Sequence, residues 1–222
     1  MCIGGAQRDL LLEDGQAIKS CETYKYLAMY ISSSGTLDYA IKERNNQGRK
    51  AITMLNTLLW DEKITIRNKH LTYNTIIKSI VTYSSEVWPL KERTMRTLEA
   101  TEMDFWRRAA GRLRTERVPN EVIRTTMKVG HTISDEIRTK QLKWYGHVQR
   151  MEEQQLPKQI LTWTPTGRRK RGRPRKSWRE GIDREIQWRP MEIGNRTTSE
   201  DVLKTDRYIY SEGWVLMVSE ET

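Results

Sequence analysis

Only two cysteines, Cys2 and Cys21, occur in 222 residues, and neither sits in a Cys-x-x-Cys pair or a Cys/His cluster. That pattern offers zinc no ligand set, and both read as free thiols in a reducing compartment. No apolar run approaches the roughly 18 residues that a membrane span needs, and no secretory leader opens the chain, so a soluble intracellular protein is expected. The catalytic inventory is equally thin. The sequence holds no Gly-Lys-Ser/Thr phosphate loop, no Ser-His-Asp arrangement and no pair of metal-binding aspartates. Of the three histidines, His131 stands four residues before Asp135, a spacing that a helix start accounts for, and His147 falls in an amphipathic stretch. Glu99, Glu102 and Asp104 read as helix-surface charge beside Arg107 and Arg108. No catalytic residue, metal site or cofactor is therefore expected.

What the chain has in excess is positive charge, and the charge is concentrated. The formal net charge is +10. Between residues 138 and 179 there are 13 Lys/Arg against Glu152 and Glu153 alone, whereas residues 180–222 carry 5 Lys/Arg and 10 Asp/Glu. Such asymmetry favours a localised binding surface over a general solubility charge. The densest stretch is 168–176, formed by Arg168, Arg169, Lys170, Arg171, Gly172, Arg173, Pro174, Arg175 and Lys176. It cannot bury itself, because each cation would lose its hydration, and Gly172 and Pro174 interrupt any helix. An exposed cationic ribbon suits the phosphate backbone of DNA or RNA. Arg138, Lys140, Lys143 and Arg150 extend it.

Aromatic usage points the same way. Eight Trp and nine Tyr stand against a single Phe, and Trp and Tyr can stack on bases while their polar atoms stay satisfied. Trp144 reads as helix packing. Trp163, followed by Thr164-Pro165 and the basic run, is the better stacking candidate. The Arg171-Gly172-Arg173-Pro174 core also resembles an AT-hook, in which the two arginines lie in a narrow A·T minor groove.

Hydropathy patterning divides the chain. The first thirty residues read as β: Asp14-Gly15 marks a hairpin turn, and 24–31 reads as a third strand. Its alternation sets Tyr24, Tyr26, Ala28 and Tyr30 on one face and Lys25, Leu27, Met29 and Ile31 on the other. The period then changes to 3.6 residues. Helices are expected from Leu37 to near Trp60, from Ile66 to Trp88, and from Met95 to Ala109. Others follow at 120–129, from near Ser134 to Met151, from Pro157 to Trp163, and over 174–187. Residues 112–119 read as an irregular basic linker. The expected fold class is mainly α, with a small amino-terminal antiparallel hairpin or three-strand unit, a basic irregular segment and a poorly ordered acidic tail.

Four ordered motifs carry a family resemblance: Tyr24-Lys-Tyr-Leu-Ala-Met-Tyr-Ile-Ser-Ser-Ser-Gly-Thr-Leu-Asp38, Ile80-Val-Thr-Tyr-Ser-Ser-Glu-Val-Trp88, Lys140-Gln-Leu-Lys-Trp-Tyr-Gly-His-Val-Gln-Arg-Met151 and the basic run through Trp178. Over residues 1–188 the chain resembles the carboxy-terminal third of non-LTR retrotransposon reverse transcriptases. The resemblance implies a primer-grip hairpin at 1–35 with Tyr24, Tyr26, Leu27 and Ala28 in the grip, and a helical thumb at 36–111. It also implies a helical downstream region at 112–163, a nucleic-acid-binding segment at 164–188 and an acidic tail at 189–222. Ala28 stands where the family usually has Gly. The family's catalytic aspartates lie upstream of these motifs and have no counterpart here, so the chain is expected to be no enzyme. The expected function is backbone binding of nucleic acid by a truncated retroelement remnant in the nucleus. An AT-hook-like nuclear DNA-binding protein and an inert relic are the alternatives.

Overall fold

A computed structural model describes residues 3, 9–163 and 177–188. The chain forms two compact units, Met1–Ile137 and Arg138–Thr222. Among the described residues no helix is long and apolar enough to cross a membrane.

The first unit opens with two separate two-stranded hairpins. β1 (Leu10–Leu11) pairs with β2 (Ala17–Ile18), Leu10 opposite Ile18. The turn is the expected one: Gly15 takes φ +79°, and the Asp14 carboxylate accepts the Gln16 N–H at 3.0 Å. β3 (Thr23–Tyr26) pairs with β4 (Met29–Ser32). The single strand expected over 24–31 is thus broken into a hairpin. Its two-residue turn, Leu27-Ala28, has φ values of 45° and 61°, the conformation that matches strand twist in tight hairpins. Breaking the strand also changes the faces. Tyr24 pairs with Ile31 and Tyr26 with Met29, so these four share one face, and Tyr30 moves to the other with Lys25. Tyr30 meets Tyr39 edge-on at 5.2 Å, setting β4 against the helix that follows. Because the two hairpins do not pair with each other, there is no three-strand sheet among the described residues.

The helical part is built around α1 (Asp38–Met54), α2 (Asn56–Trp60), α3 (Ile66–Thr72), α4 (Ser79–Val81) and α5 (Glu92–Ala109). The helix expected through Trp60 is interrupted at Leu55. A wider π-helical segment, Tyr73–Lys78, joins α3 to α4, and the helix expected to reach Trp88 stops at Val81. Ser84 then adopts φ 60°, and Trp88 is fully buried in extended backbone. Ile52, Leu59, Ile77, Val81, Leu98, Phe105 and Trp106 fill the core. Gly48 lets α1 approach α4 closely, since a Cβ there would overlap the Val81 Cγ2 methyl.

Two neighbouring residues on α3 finish two other helices. α5 ends in a Schellman turn at Gly111 (φ 64°), with Arg112 N–H donating to Arg107 O at 2.9 Å. The buried Lys69 ammonium donates to the Ala109 carbonyl at 2.8 Å, a cation on the negative end of α5. α6 (Asn120–Met127) ends in the same kind of turn at Lys128 (φ 56°), and His70 Nε2 meets its Met127 carbonyl at 2.6 Å.

α7 (Ile133–Gln149) begins in the first unit, and the boundary between units falls within it. In the second unit α9 (Trp178–Trp188) runs antiparallel to α7: Tyr145 meets Trp178 at 6.4 Å, while Arg138 pairs with Glu185 at 3.1 Å. α8 (Leu156–Thr162) follows α7 and begins with Pro157 in its first turn.

Candidate nucleic-acid interface

The cationic residues proposed for phosphate contact fall in two places. Lys140 and Lys143 lie one turn apart on α7, Lys143 exposed and Lys140 half-buried. The stretch from Arg168 to Lys176, with Gly172 and Pro174, lies outside the described residues. So does the acidic tail. On either side of that stretch the structure is explicit. Trp163 ends α8 with extended backbone and is 65% exposed, so its ring is open to stacking. Ser177 follows the run and caps α9, its hydroxyl accepting the Glu180 N–H at 3.2 Å. Trp144 is half-buried, with its ring 5.4 Å from His147. His147 is exposed.

The grip-like residues Tyr24, Tyr26, Leu27 and Ala28 belong to the first unit, whereas Lys140 and Lys143 belong to the second. Tyr24, Tyr26 and Leu27 are more than half exposed. Two side chains from the helical part hold the turn itself. The Tyr83 hydroxyl donates to the Leu27 carbonyl at 3.0 Å, and the Arg44 guanidinium donates to the Ala28 carbonyl. Arg44 also lies over the Tyr83 ring, 4.3 Å from its centroid. Ala28 has a positive φ, a conformation that glycine adopts without strain. The hairpin tip is therefore fixed in place although its outer face is bare.

One polar cluster escaped the reading of the sequence. Glu102, expected on the helix surface, is 1% exposed. Its carboxylate accepts the Tyr73 hydroxyl at 2.8 Å and the Ile133 N–H at 3.1 Å, and one turn away Glu99 accepts the Ser134 hydroxyl. Two carboxylates on α5 thus grip the first turn of α7, where the positive end of the helix dipole favours them. Burial pushes the Glu102 carboxyl above its ordinary range, opposed by the Ile133 and Tyr73 hydrogen bonds and by the charge of Arg124. Burial, with the Glu102 charge beside it, also drives Tyr73 far upward, so its hydroxyl is a donor at every ordinary pH. Thr132 and Asp135 cap the same helix reciprocally, Asp135 accepting the Thr132 N–H at 3.0 Å and Thr132 Oγ1 accepting the Asp135 N–H at 3.2 Å. His131 is exposed and takes no part in that capping pair. This cluster is structural: it has hydrogen-bond partners on every side and no opening for a reactant. Its only sequence signal is a glutamate among buried-face positions of α5, with Leu98 four residues before it and Phe105 three after.

Comparison with known proteins gives a distant similarity. The chain is similar to an uncharacterized transposon-derived protein of Caenorhabditis elegans, 23% identical over 208 residues, covering 90% of this chain and 71% of that protein. No protein-family model matches the chain, and no solved structure matches it.

Proposed function

We propose that the chain is a transposon-derived remnant of a non-LTR retroelement reverse transcriptase that binds nucleic acid by its backbone and catalyses nothing. The observation that carries the binding is the exposed Trp163 ring just ahead of seven cations in nine residues, a pairing of stacking platform and phosphate contacts. The lineage is supported by the four ordered motifs and by similarity to a transposon-derived protein along nine-tenths of the chain.

Fluorescence anisotropy with a labelled RNA–DNA hybrid, an A·T-rich duplex and single strands across a salt series tests the binding. If about 6 cations meet phosphate, log affinity falls with log salt at a slope of about −4 to −5. Replacing Arg168, Arg169, Arg171, Arg173 and Arg175 with alanine removes most binding. Full-strength binding by that variant refutes the assigned site. A marked preference for A·T-rich duplex, competed by a minor-groove ligand, selects the AT-hook-like reading instead. No binding at low salt leaves an inert relic.

A further inference from the structure

Between α5 and α6 residues 111–117 are all exposed, and both ends of this connection are held. The Schellman turn at Gly111 fixes the entry. At the exit the Arg107 guanidinium donates to the Val118 carbonyl at 2.6 Å and to the Asn120 side chain at 2.7 Å. Between them lies one turn of 3-10 helix, Arg114–Glu116, closed by long backbone bonds: Glu116 N–H to Leu113 O at 3.2 Å and Arg117 N–H to Arg114 O at 3.4 Å. Thr115 sits in the middle of that turn. Helical threonines on either side, Thr97, Thr101, Thr125 and Thr126, each turn the hydroxyl back on the carbonyl four residues earlier, at 2.8–3.3 Å. The exposed Thr115 hydroxyl makes no hydrogen bond among the described residues. Cations flank it, Arg112 three residues before, Arg114 one before and Arg117 two after, so 112–117 carries a net +2 despite Glu116. We propose that Thr115 is a phosphorylation site, modified from a nucleoside triphosphate by a protein kinase whose peptide groove is acidic.

An acidic groove selects cations at fixed offsets from the acceptor hydroxyl. An exposed turn with few bonds of its own can be straightened into such a groove while the helices around it stay folded. In the transfer the Thr115 hydroxyl oxygen bonds to the γ-phosphorus of ATP and the bond from that phosphorus to the β–γ bridging oxygen breaks. The hydroxyl proton passes to the base of the kinase, and ADP leaves. The new phosphate carries a charge of about −1.5 to −2, which cancels the local excess and competes with Glu116 for Arg112. Glu116 is the restraint that the fold places on this reaction. Its carboxylate accepts the Leu113 N–H at 2.8 Å and pairs with Arg112 at 3.2 Å. It thereby keeps the turn coiled and occupies a cation that the groove would read.

The full chain, incubated with Mg·ATP and the catalytic subunit of cAMP-dependent protein kinase, which reads arginines ahead of its acceptor, tests the site. Site-resolved mass spectrometry places the phosphate, so any modification of Ser177 beside the other basic run is read separately. The initial rate at Thr115 falls roughly tenfold in Arg112→Ala and in Arg114→Ala, as expected for loss of a charge-assisted contact. It rises about fivefold in Glu116→Ala, the effect of releasing one hydrogen bond. All three positions are exposed, and these changes leave the fold intact. No phosphate at Thr115 in either the parent or Glu116→Ala overturns the proposal. So does a rate at Thr115 that is unchanged when the arginines are removed. Neither outcome depends on whether the chain binds nucleic acid.

Discussion

The tightest constraint in the first unit is the approach of α1 to α4 at Gly48, and Gly48→Ala probes it. In a helix interior alanine is favoured over glycine by about 1 kcal/mol. Here the new Cβ overlaps Val81 Cγ2, a methyl on a fully buried residue, so the helices must part or Val81 must leave its rotamer. Overpacking of this kind costs about 1–3 kcal/mol, for a net loss of roughly 0–2 kcal/mol once the helix gain is subtracted. The decisive test is a double-mutant cycle. Val81→Ala alone loses about 2 kcal/mol through the methyls it removes. It also leaves Val81 Cβ as the nearest atom, 3.8 Å from the added methyl, which is an ordinary contact. In that background Gly48→Ala should reverse sign and stabilise by about 1 kcal/mol. Urea unfolding followed by far-UV circular dichroism measures each corner. Equal destabilisation by Gly48→Ala in both backgrounds would refute the assignment to the Val81 contact.

Three further outcomes follow from the same unit. Glu102→Ala leaves the Tyr73 hydroxyl and the Ile133 N–H buried without an acceptor and should cost roughly 3 kcal/mol, whereas Glu102→Gln keeps one acceptor and removes the buried charge. Because the Glu102 carboxyl is raised in the folded state, its contribution to stability is fullest below the ordinary glutamate value of 4.5 and is lost as pH rises through the folded value. The stability of Glu102→Gln relative to the parent should therefore improve as pH rises from 4.5, and a parallel pair of pH–stability curves contradicts the buried charge. At the hairpin tip, Ala28→Gly relieves a left-handed backbone and should stabilise β3 and β4 by about 0.5–1 kcal/mol, read as slower amide exchange across the hairpin. Unchanged or faster exchange would show that the turn carries no strain.

The helices were largely legible because their apolar residues recur at 3.6-residue spacing over long stretches, as in 92–109 and 133–149. The β3–β4 turn was not. Leu27-Ala28 lacks the Asn-Gly or Asp-Gly chemistry that announces a tight hairpin, and an apolar Leu27 continues the alternation on both sides of it. Glu102, Lys69 and His70 escaped for another reason: their partners lie between 29 and 57 residues away, beyond any local pattern. The widened turn at Tyr73–Lys78 likewise has no composition signal. For the candidate interface the position is reversed. Its cations and Trp163 were plain in the sequence, and the structure adds the exposure of Trp163 and the Ser177 cap of α9.

The π segment has a consequence for how this unit tolerates change in length. A π turn accommodates one more residue than the α-helix around it. Deleting one residue from 73–78 would let the backbone relax into a continuous α-helix, an improvement by local standards. Because the wide turn absorbs that one residue, the helix beyond it keeps its facing relative to α3, and Val81 still meets the notch at Gly48. A deletion inside α1, where no wide turn absorbs it, would instead rotate every residue beyond it by about 100°. The segment 73–78 is thus where this unit best tolerates the loss of one residue, provided the buried Tyr73 and Ile77 stay.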